Sequence, residues 1–353
     1  MATIDSLLDE ILERRASDLH LIAGDPPRMR LYGDLQPLKP ERLEPQAVRD
    51  ALYEIMPKSA VERFESKDGA DFAYSLADRG RFRVNVMRHL NGVGAVFRAI
   101  PSRAMTLDEL KLPEAVRQMC HASNGLILVT GKTGSGKSTT LAAMIDDINS
   151  RVKGHILTIE DPIEFVHARK SCLVSQREIG MHAPSFAAAL LSALREDPDV
   201  ILVGELRDLE TIGIAVTAAE MGILVMGTLH TNGAAPTVDR IVNVFPADKQ
   251  SHVRTMLSTS LRGVVSQQLL QRADKEGRVA ALEILVNTPA VSNLIRQGKL
   301  DQLESTMQSG AQFGMRTMDS AIQSLLEQRA ITGKEAYKKG ISKARFEAVK
   351  DQG

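Results

Sequence analysis

The sequence predicts an α/β fold: a mostly parallel sheet with helices on both faces, preceded by a smaller α+β domain. Three observations carry this. From Leu126 onward, apolar strand-like runs at 126–130, 155–159, 200–203 and 224–230 alternate with helical stretches, and such alternation lays successive strands parallel with helices crossing between them. The first run feeds Gly131-Lys-Thr-Gly-Ser-Gly-Lys-Ser138, a complete G-x-x-x-x-G-K-[ST] phosphate loop between a strand and a helix. The first hundred residues instead show period-two alternation with hairpin signals. The expected boundaries are 1–100 for the N-terminal domain, 101–112 for a linker and 113–353 for the domain carrying the loop.

Bulk properties agree with a soluble globular chain. Its 353 residues suffice for two domains, and 43% hydrophobic with 25% charged residues is enough to bury a core. Lys plus Arg equals Asp plus Glu at 44 each, so no net field draws the chain toward nucleic acid or an anionic membrane. No apolar run reaches the ~18 residues of a membrane span. The start MATIDSLLDEILERR is an amphipathic helix rather than a signal peptide, and a cytoplasmic location is expected. Cys120 and Cys172 form no C-x-x-C pair, so they are read as small buried hydrophobes rather than as a disulfide or zinc site.

In the N-terminal domain, Ile4, Leu7, Leu8, Ile11 and Leu12 recur at helical spacing. Strands are expected at 18–22 and 28–32, with Gly33-Asp34 as a turn before Leu35, and a helix from Pro45 carries Val48, Leu52, Ile55 and Met56 before stopping at Pro57. Strands at 71–76, 81–86 and 93–100 follow, the last pair joined at Asn91-Gly92. If Phe82, Val84 and Val86 face the core, Arg81, Arg83 and Asn85 project from the opposite face. Arg98 lies near the end of the partner strand. On the residues alone this is a solvated arginine face.

The segment 101–112 is polar and proline-bounded and reads as a linker. Beyond it, each of the four strands ends in polar residues: the phosphate loop, then Thr158-Ile-Glu-Asp-Pro-Ile-Glu164, then Gly204-Glu205, then Gly227-Thr-Leu-His-Thr231. Parallel sheets bind ligands at the carboxyl ends of their strands, so four such ends in one crevice point to an active site. Apolar spacing over 253–270 predicts one long amphipathic helix, a strand pair is expected around 274–277, and 288–339 reads as helices. The basic end, with Lys334, Lys338, Lys339, Lys343, Arg345 and Lys350 among acidic residues, reads as a solvated tail.

The phosphate loop carries the chemistry. Gly131, Gly134 and Gly136 let backbone N–H groups turn toward phosphate oxygens, Lys132, Thr133, Ser135 and Thr139 complete the loop, and the helix starting near Lys137 aims its positive end there. Lys137 is expected to reach the β and γ phosphates of ATP, with the Ser138 hydroxyl on Mg²⁺.

These motifs together resemble the secretion superfamily of hexameric ATPases. Leu194-Arg-Glu-Asp-Pro-Asp-Val-Ile-Leu-Val-Gly-Glu-Leu-Arg-Asp208 is similar to the signature around its atypical Walker B, 158–164 to its Asp box and 227–231 to its His box. Ser17-Asp-Leu-His-Leu21 and Asn293-Leu-Ile-Arg-Gln-Gly-Lys299 extend the resemblance over almost the whole chain. The latter resembles the AIRAGK-type motif of type IV pilus retraction ATPases, departing at Leu294 and Gln297, and Lys132 stands where many members have proline. The sequence shows neither the four-cysteine zinc element nor the long N-terminal region common in assembly and type II secretion ATPases, which favours retraction. Accessory retraction ATPases share most of the motifs.

The resemblance implies a PAS-like N-terminal domain, a RecA-like ATPase domain, a homohexamer, and a pilus platform protein of the inner membrane as partner, with docking at its cytoplasmic face. It implies that Ser138 and Glu205 hold Mg²⁺, the latter directly or through water, that Glu164 is the base for the attacking water, and that His230 senses the γ phosphate. Spacing alone leaves Glu160, Asp161 and Glu164 equivalent as bases. Arg83 and Arg98 are implied to contact the γ phosphate, a task suited to arginine's fixed charge and forked donors. Two readings compete. A nucleic-acid-dependent RecA-like motor would show a basic groove with stacking aromatics, which 4% aromatics and zero net charge disfavour. A small-molecule P-loop kinase leaves the N-terminal domain and the Asp and His boxes without a role.

Overall fold

The computed structural model describes residues 3–31, 34–77, 79–101, 103–274 and 277–351. The chain divides into two compact units, residues 1–103 with 164–166, and residues 104–163 with 167–353.

The first unit comprises α1 (Thr3–Glu13), β1 (Asp18–Ile22), β2 (Arg28–Leu31), β3 (Asp34–Pro37), α2 (Pro45–Ile55), α3 (Lys58–Lys67), β4 (Gly69–Leu76), β5 (Gly80–His89) and β6 (Gly92–Ile100). Its antiparallel strands run in the order β3-β2-β1-β6-β5-β4. Ile4, Leu8 and Ile11 of α1 and Leu52 of α2 are buried with Phe82, Val84, Val86 and Phe97 of the sheet, so one sheet face is covered by helices. The other carries exposed Arg83, Asn85 and Arg98, with Arg81 half-buried. One turn shifts by a residue from expectation, and at another the expected residues Tyr32 and Gly33 lie outside the described residues. Asp34 already belongs to β3, paired with Leu31. His89 pairs with Gly92, so Leu90 and Asn91 form the turn and Gly92, at φ 131°, opens β6. Helix α3 escapes the periodicity because only Ala60 and Phe64 of it are buried.

The second unit comprises α4 (Glu114–Cys120), β7 (Gly125–Thr130), α5 (Lys137–Arg151), β8 (His155–Glu160), β9 (Leu173–Glu178), α6 (Phe186–Ala193), β10 (Val200–Val203), α7 (Leu209–Glu220), β11 (Leu224–Leu229), α8 (Ala234–Asn243), α9 (Ala247–Ser260), β12 (Leu261–Gln271), β13 (Arg278–Val286), α10 (Pro289–Gln297), α11 (Leu303–Ser309), α12 (Met318–Glu327), α13 (Gly333–Lys339) and α14 (Lys343–Phe346). The sheet order is β13-β12-β7-β11-β10-β8-β9. Every neighbouring pair is parallel except β12 with β13. All residues of β7, β10 and β11 are buried, as expected of strands covered on both faces.

Three expectations are corrected. Residues 253–270 are not one helix: α9 ends at Ser260 and the chain turns directly into β12. Its β-branched pair Val264 and Val265 is buried on opposite faces of a two-sided sheet, and a strand buried on both faces has no alternation to betray it. Of the segment 101–112, residues 104–112 belong to the second unit, where Leu107 is buried with Val116, Met119 and Ile127. The basic end is folded. Phe346 is fully buried with Leu270, Met318, Ile322 and Ala336, and the Asp319 carboxylate accepts the Ile341 and Ser342 N–H groups at 2.7 and 2.9 Å. Two aromatics, Tyr337 and Phe346, among many charges carried too little signal. Strand β9 was also silent, because Ser175, Gln176 and Arg177 give it no apolar run. No helix among the described residues is long and apolar enough to cross a membrane.

Candidate functional site

In the second unit the carboxyl ends of β7, β11, β10 and β8 are neighbours, and each delivers polar groups to the same edge. After Thr130 the chain turns at Gly131, whose φ of 139° favours glycine and whose Cβ, if present, would lie 2.3 Å from the Gln267 carbonyl oxygen. Gly136 caps α5 at φ 90°, where a Cβ would meet Gln267 Nε2 at 2.7 Å. The loop is thus packed tightly on β12 while Lys132, Thr133 and Gly134 stay exposed, with Ser138 and Thr139 half-buried on the first turn of α5.

Lys137 is buried and folds back over the loop, its ammonium donating to the carbonyls of Gly131 at 2.9 Å and Lys132 at 3.3 Å. The same nitrogen lies 3.5 Å from His230 Nδ1, just after β11. An ammonium has only protons to give, so Nδ1 accepts and Nε2 carries the ring proton, which it directs at Glu205 Oε1, 3.2 Å away. Glu205, following β10, is also gripped by Arg207, Nε to Oε1 at 2.5 Å and Nη2 to Oε2 at 2.6 Å. Burial alone would raise the Glu205 carboxyl, but Arg207 and His230 outweigh it and hold the group below its ordinary value. Lys137, His230, Glu205 and Arg207 form one continuous polar chain.

At the end of β8, Glu160 Oε1 accepts from the Thr158 hydroxyl at 2.6 Å and from Gln176 Nε2 at 3.2 Å. The loop after His230 is fixed by Ser266 Oγ, accepting from Gly233 N–H at 2.8 Å, and by buried Glu283, whose carboxylate accepts the N–H groups of Ala234 at 2.7 Å and Met318 at 3.1 Å. Burial pushes the Glu283 carboxyl up.

The second unit therefore brings together the phosphate loop, Glu205 and His230. Glu164, Arg83 and Arg98 belong to the first unit. There Arg83 and Arg98 are direct cross-strand partners on the exposed sheet face. Arg98 Nε donates to Asp18 Oδ1 at 3.0 Å, and Arg83 Nε lies 3.9 Å from Asp71 Oδ1.

The residues fit a nucleoside phosphate: the loop is open on one side, presents helix N-terminal amides and carries a buried ammonium. They fit Mg²⁺ only beside phosphate oxygens. One hydroxyl and one carboxylate do not make a cage, and among the described residues no group of three or more His, Cys, Asp or Glu side chains is arranged to hold a metal ion.

Gln267 escaped the sequence reading because the helix assigned to 253–270 concealed it. Buried on β12, it donates from Nε2 to the Ser135 carbonyl at 2.6 Å and accepts from the Thr140 hydroxyl at 2.8 Å, bracing the loop and the first turn of α5 together. Arg207 is the other residue of the site that its motif alone does not single out. Gln267→Leu keeps the volume but strands two polar partners, so nucleotide affinity should fall about tenfold, equivalent to one or two lost hydrogen bonds, with folding retained. Titration with a fluorescent ADP analogue measures this, and an unchanged affinity removes Gln267 from the site.

The match to the type II/IV secretion system protein family model covers residues 1–343. The chain is 50% identical to the type IV pilus retraction ATPase PilT of Pseudomonas aeruginosa over 95% of its own length and 97% of that protein's. It is 41% identical to the type IV pilus ATPase PilU of the same organism, covering 94% and 87% of the two chains. A crystal structure of the pilus retraction motor PilT with bound ADP superposes with a TM-score of 0.91 at 44% identity, over 98% of this chain and 99% of that one. The matches span almost the whole chain and most of each relative's length, and the chain belongs to the type II/IV secretion system protein family.

Proposed function

We propose that the protein is an ATP-hydrolysing motor that retracts type IV pili, acting as a homohexamer against a platform protein at the cytoplasmic face of the inner membrane. The observation that carries this reading is the likeness to the ADP-bound retraction motor over 98% of the chain, because it includes the first unit and the C-terminal helices as well as the ATPase core. The higher identity to PilT than to PilU, 50% against 41%, favours the principal motor over the accessory one.

In this reading the loop amides from Gly131 to Thr139 and the Lys137 ammonium hold the phosphates, with Lys137 exchanging its carbonyl partners for phosphate oxygens. Mg²⁺, when bound, neutralises phosphate charge beside Ser138 and Glu205. His230 reports whether a terminal phosphate occupies the loop, a role supported by its bonds to both Lys137 and Glu205. Glu164 takes the proton of the attacking water, and Arg83 and Arg98 stabilise charge on the transferring phosphoryl group. Hydrolysis alters the arrangement of the two units, and that motion is the mechanical output.

Expression in cells lacking PilT tests the function. Restored twitching with normal surface piliation is expected. Restoration only in cells lacking PilU identifies an accessory motor, and restored piliation in an assembly-deficient strain identifies an assembly motor.

A further inference from the structure

On the exposed face of the first unit's sheet, four residues stand directly opposite one another on successive strands. Arg30 of β2 faces Asp18 of β1, Asp18 faces Arg98 of β6, and Arg98 faces Arg83 of β5. Directly opposed residues of antiparallel strands share a face, so one row carries three cations around a single carboxylate.

That carboxylate is not a surface group. Asp18 is 5% exposed, accepts from the Ser17 hydroxyl at 2.7 Å and from Arg98 Nε at 3.0 Å, and lies 3.9 Å from Arg30 Nε. Burial opposes its ionisation, yet the bonds from Ser17 and Arg98 prevail and hold it below the ordinary carboxylate value. Two residues along, burial keeps His20 below its ordinary value, so it adds no standing charge.

The geometry at Arg98 is asymmetric. Its side chain is 70% exposed although its Nε is bonded, so the guanidinium is anchored through Nε while most of the side chain is open to solvent. A free arginine loses rotamer entropy when it is fixed on a ligand. Here part of that ordering exists beforehand, and the unspent edge is the one that grips a phosphate bidentately. Among the described residues Arg83 has a 3.9 Å contact to exposed Asp71, longer than the bond that holds Arg98, so the two arginines differ in preorganisation.

We infer that Asp18 is the positioning residue for Arg98, holding its guanidinium edge ready for the terminal phosphate of a nucleoside triphosphate. This rests on the reading of Arg98 as a phosphate contact. It gives a task to the Ser17-Asp-Leu-His-Leu21 motif, which the ATPase core leaves without one.

The test is a double-mutant cycle in the full-length protein, following kcat and KM for ATP together with the melting temperature. Asp18→Asn keeps an oxygen for Nε but removes the charge. It should lower kcat about tenfold with little change in KM or melting temperature, and cost nothing further when Arg98 is already Ala. Wild-type kcat in Asp18→Asn, or an equal loss in the Arg98→Ala background, overturns the inference. A normal rate in Arg98→Ala rejects instead the reading on which it rests. Should Asp18→Asn not fold, Arg98→Lys decides: it retains the charge but cannot be anchored through Nε, so kcat should fall nearly to the Arg98→Ala value, and a wild-type kcat there rejects positioning.

Discussion

Lys137→Ala is expected to abolish tight nucleotide binding, and hydrolysis with it. The ammonium is buried against the loop, bonded to the carbonyls of Gly131 and Lys132 and in reach of His230. Alanine removes the charge from the phosphate position and takes one donor from each of those carbonyls, that of Lys132 keeping the Ser135 N–H at 3.1 Å. Charge-assisted hydrogen bonds contribute about 1.5–3 kcal/mol each, so losing two to a nucleotide weakens binding by roughly a hundredfold or more. Calorimetric titration with a non-hydrolysable ATP analogue reads the effect directly, with a melting curve as control for folding. An affinity equal to wild type would sink the assignment of the loop.

The second large effect concerns turnover without binding. Glu164→Gln should bind ATP and assemble normally while kcat falls by about a hundredfold or more, the scale of losing a general base. Glu160→Gln is the necessary comparison, because spacing does not rank the two. Glu160 Oε1 accepts from Thr158 and Gln176 at the end of β8, a structural bonding pattern that an amide can largely retain. If Glu160→Gln stalls turnover and Glu164→Gln does not, the base is misassigned.

What the sequence conveyed and withheld follows from packing. The strands β7, β8, β10 and β11 were legible because each is a mostly apolar run closed by a polar motif. Glu205 and His230 meet the phosphate loop for the same reason: their strands are neighbours and their motifs sit at equivalent ends. Legibility failed where burial and polarity part company. Strand β12 mimics helical spacing because both its faces are covered, and with it Gln267 was lost, a polar residue whose partners Ser135 and Thr140 are distant in sequence. Helix α3 and the closing Phe346 rest on one or two buried side chains among charges, below what periodicity can register. Asp18 was visible as part of a motif, but its bond to Arg98 depends on a strand pairing across 80 positions.

The dependence of the phosphate loop on β12 bears on the order in which the chain can mature. Ser135 and Gln267 lie 132 positions apart, and β12 is the neighbour that covers one side of β7. As the polypeptide leaves the ribosome, β7 and its loop emerge long before 261–271 are released. During that interval the strand has an open row of backbone donors and acceptors, flanked by side chains that are buried in the finished sheet. Such an edge recruits other chains. A polypeptide halted after β11 is therefore not a smaller ATPase but an aggregation hazard, and the nucleotide pocket acquires its shape only once β12 has been released.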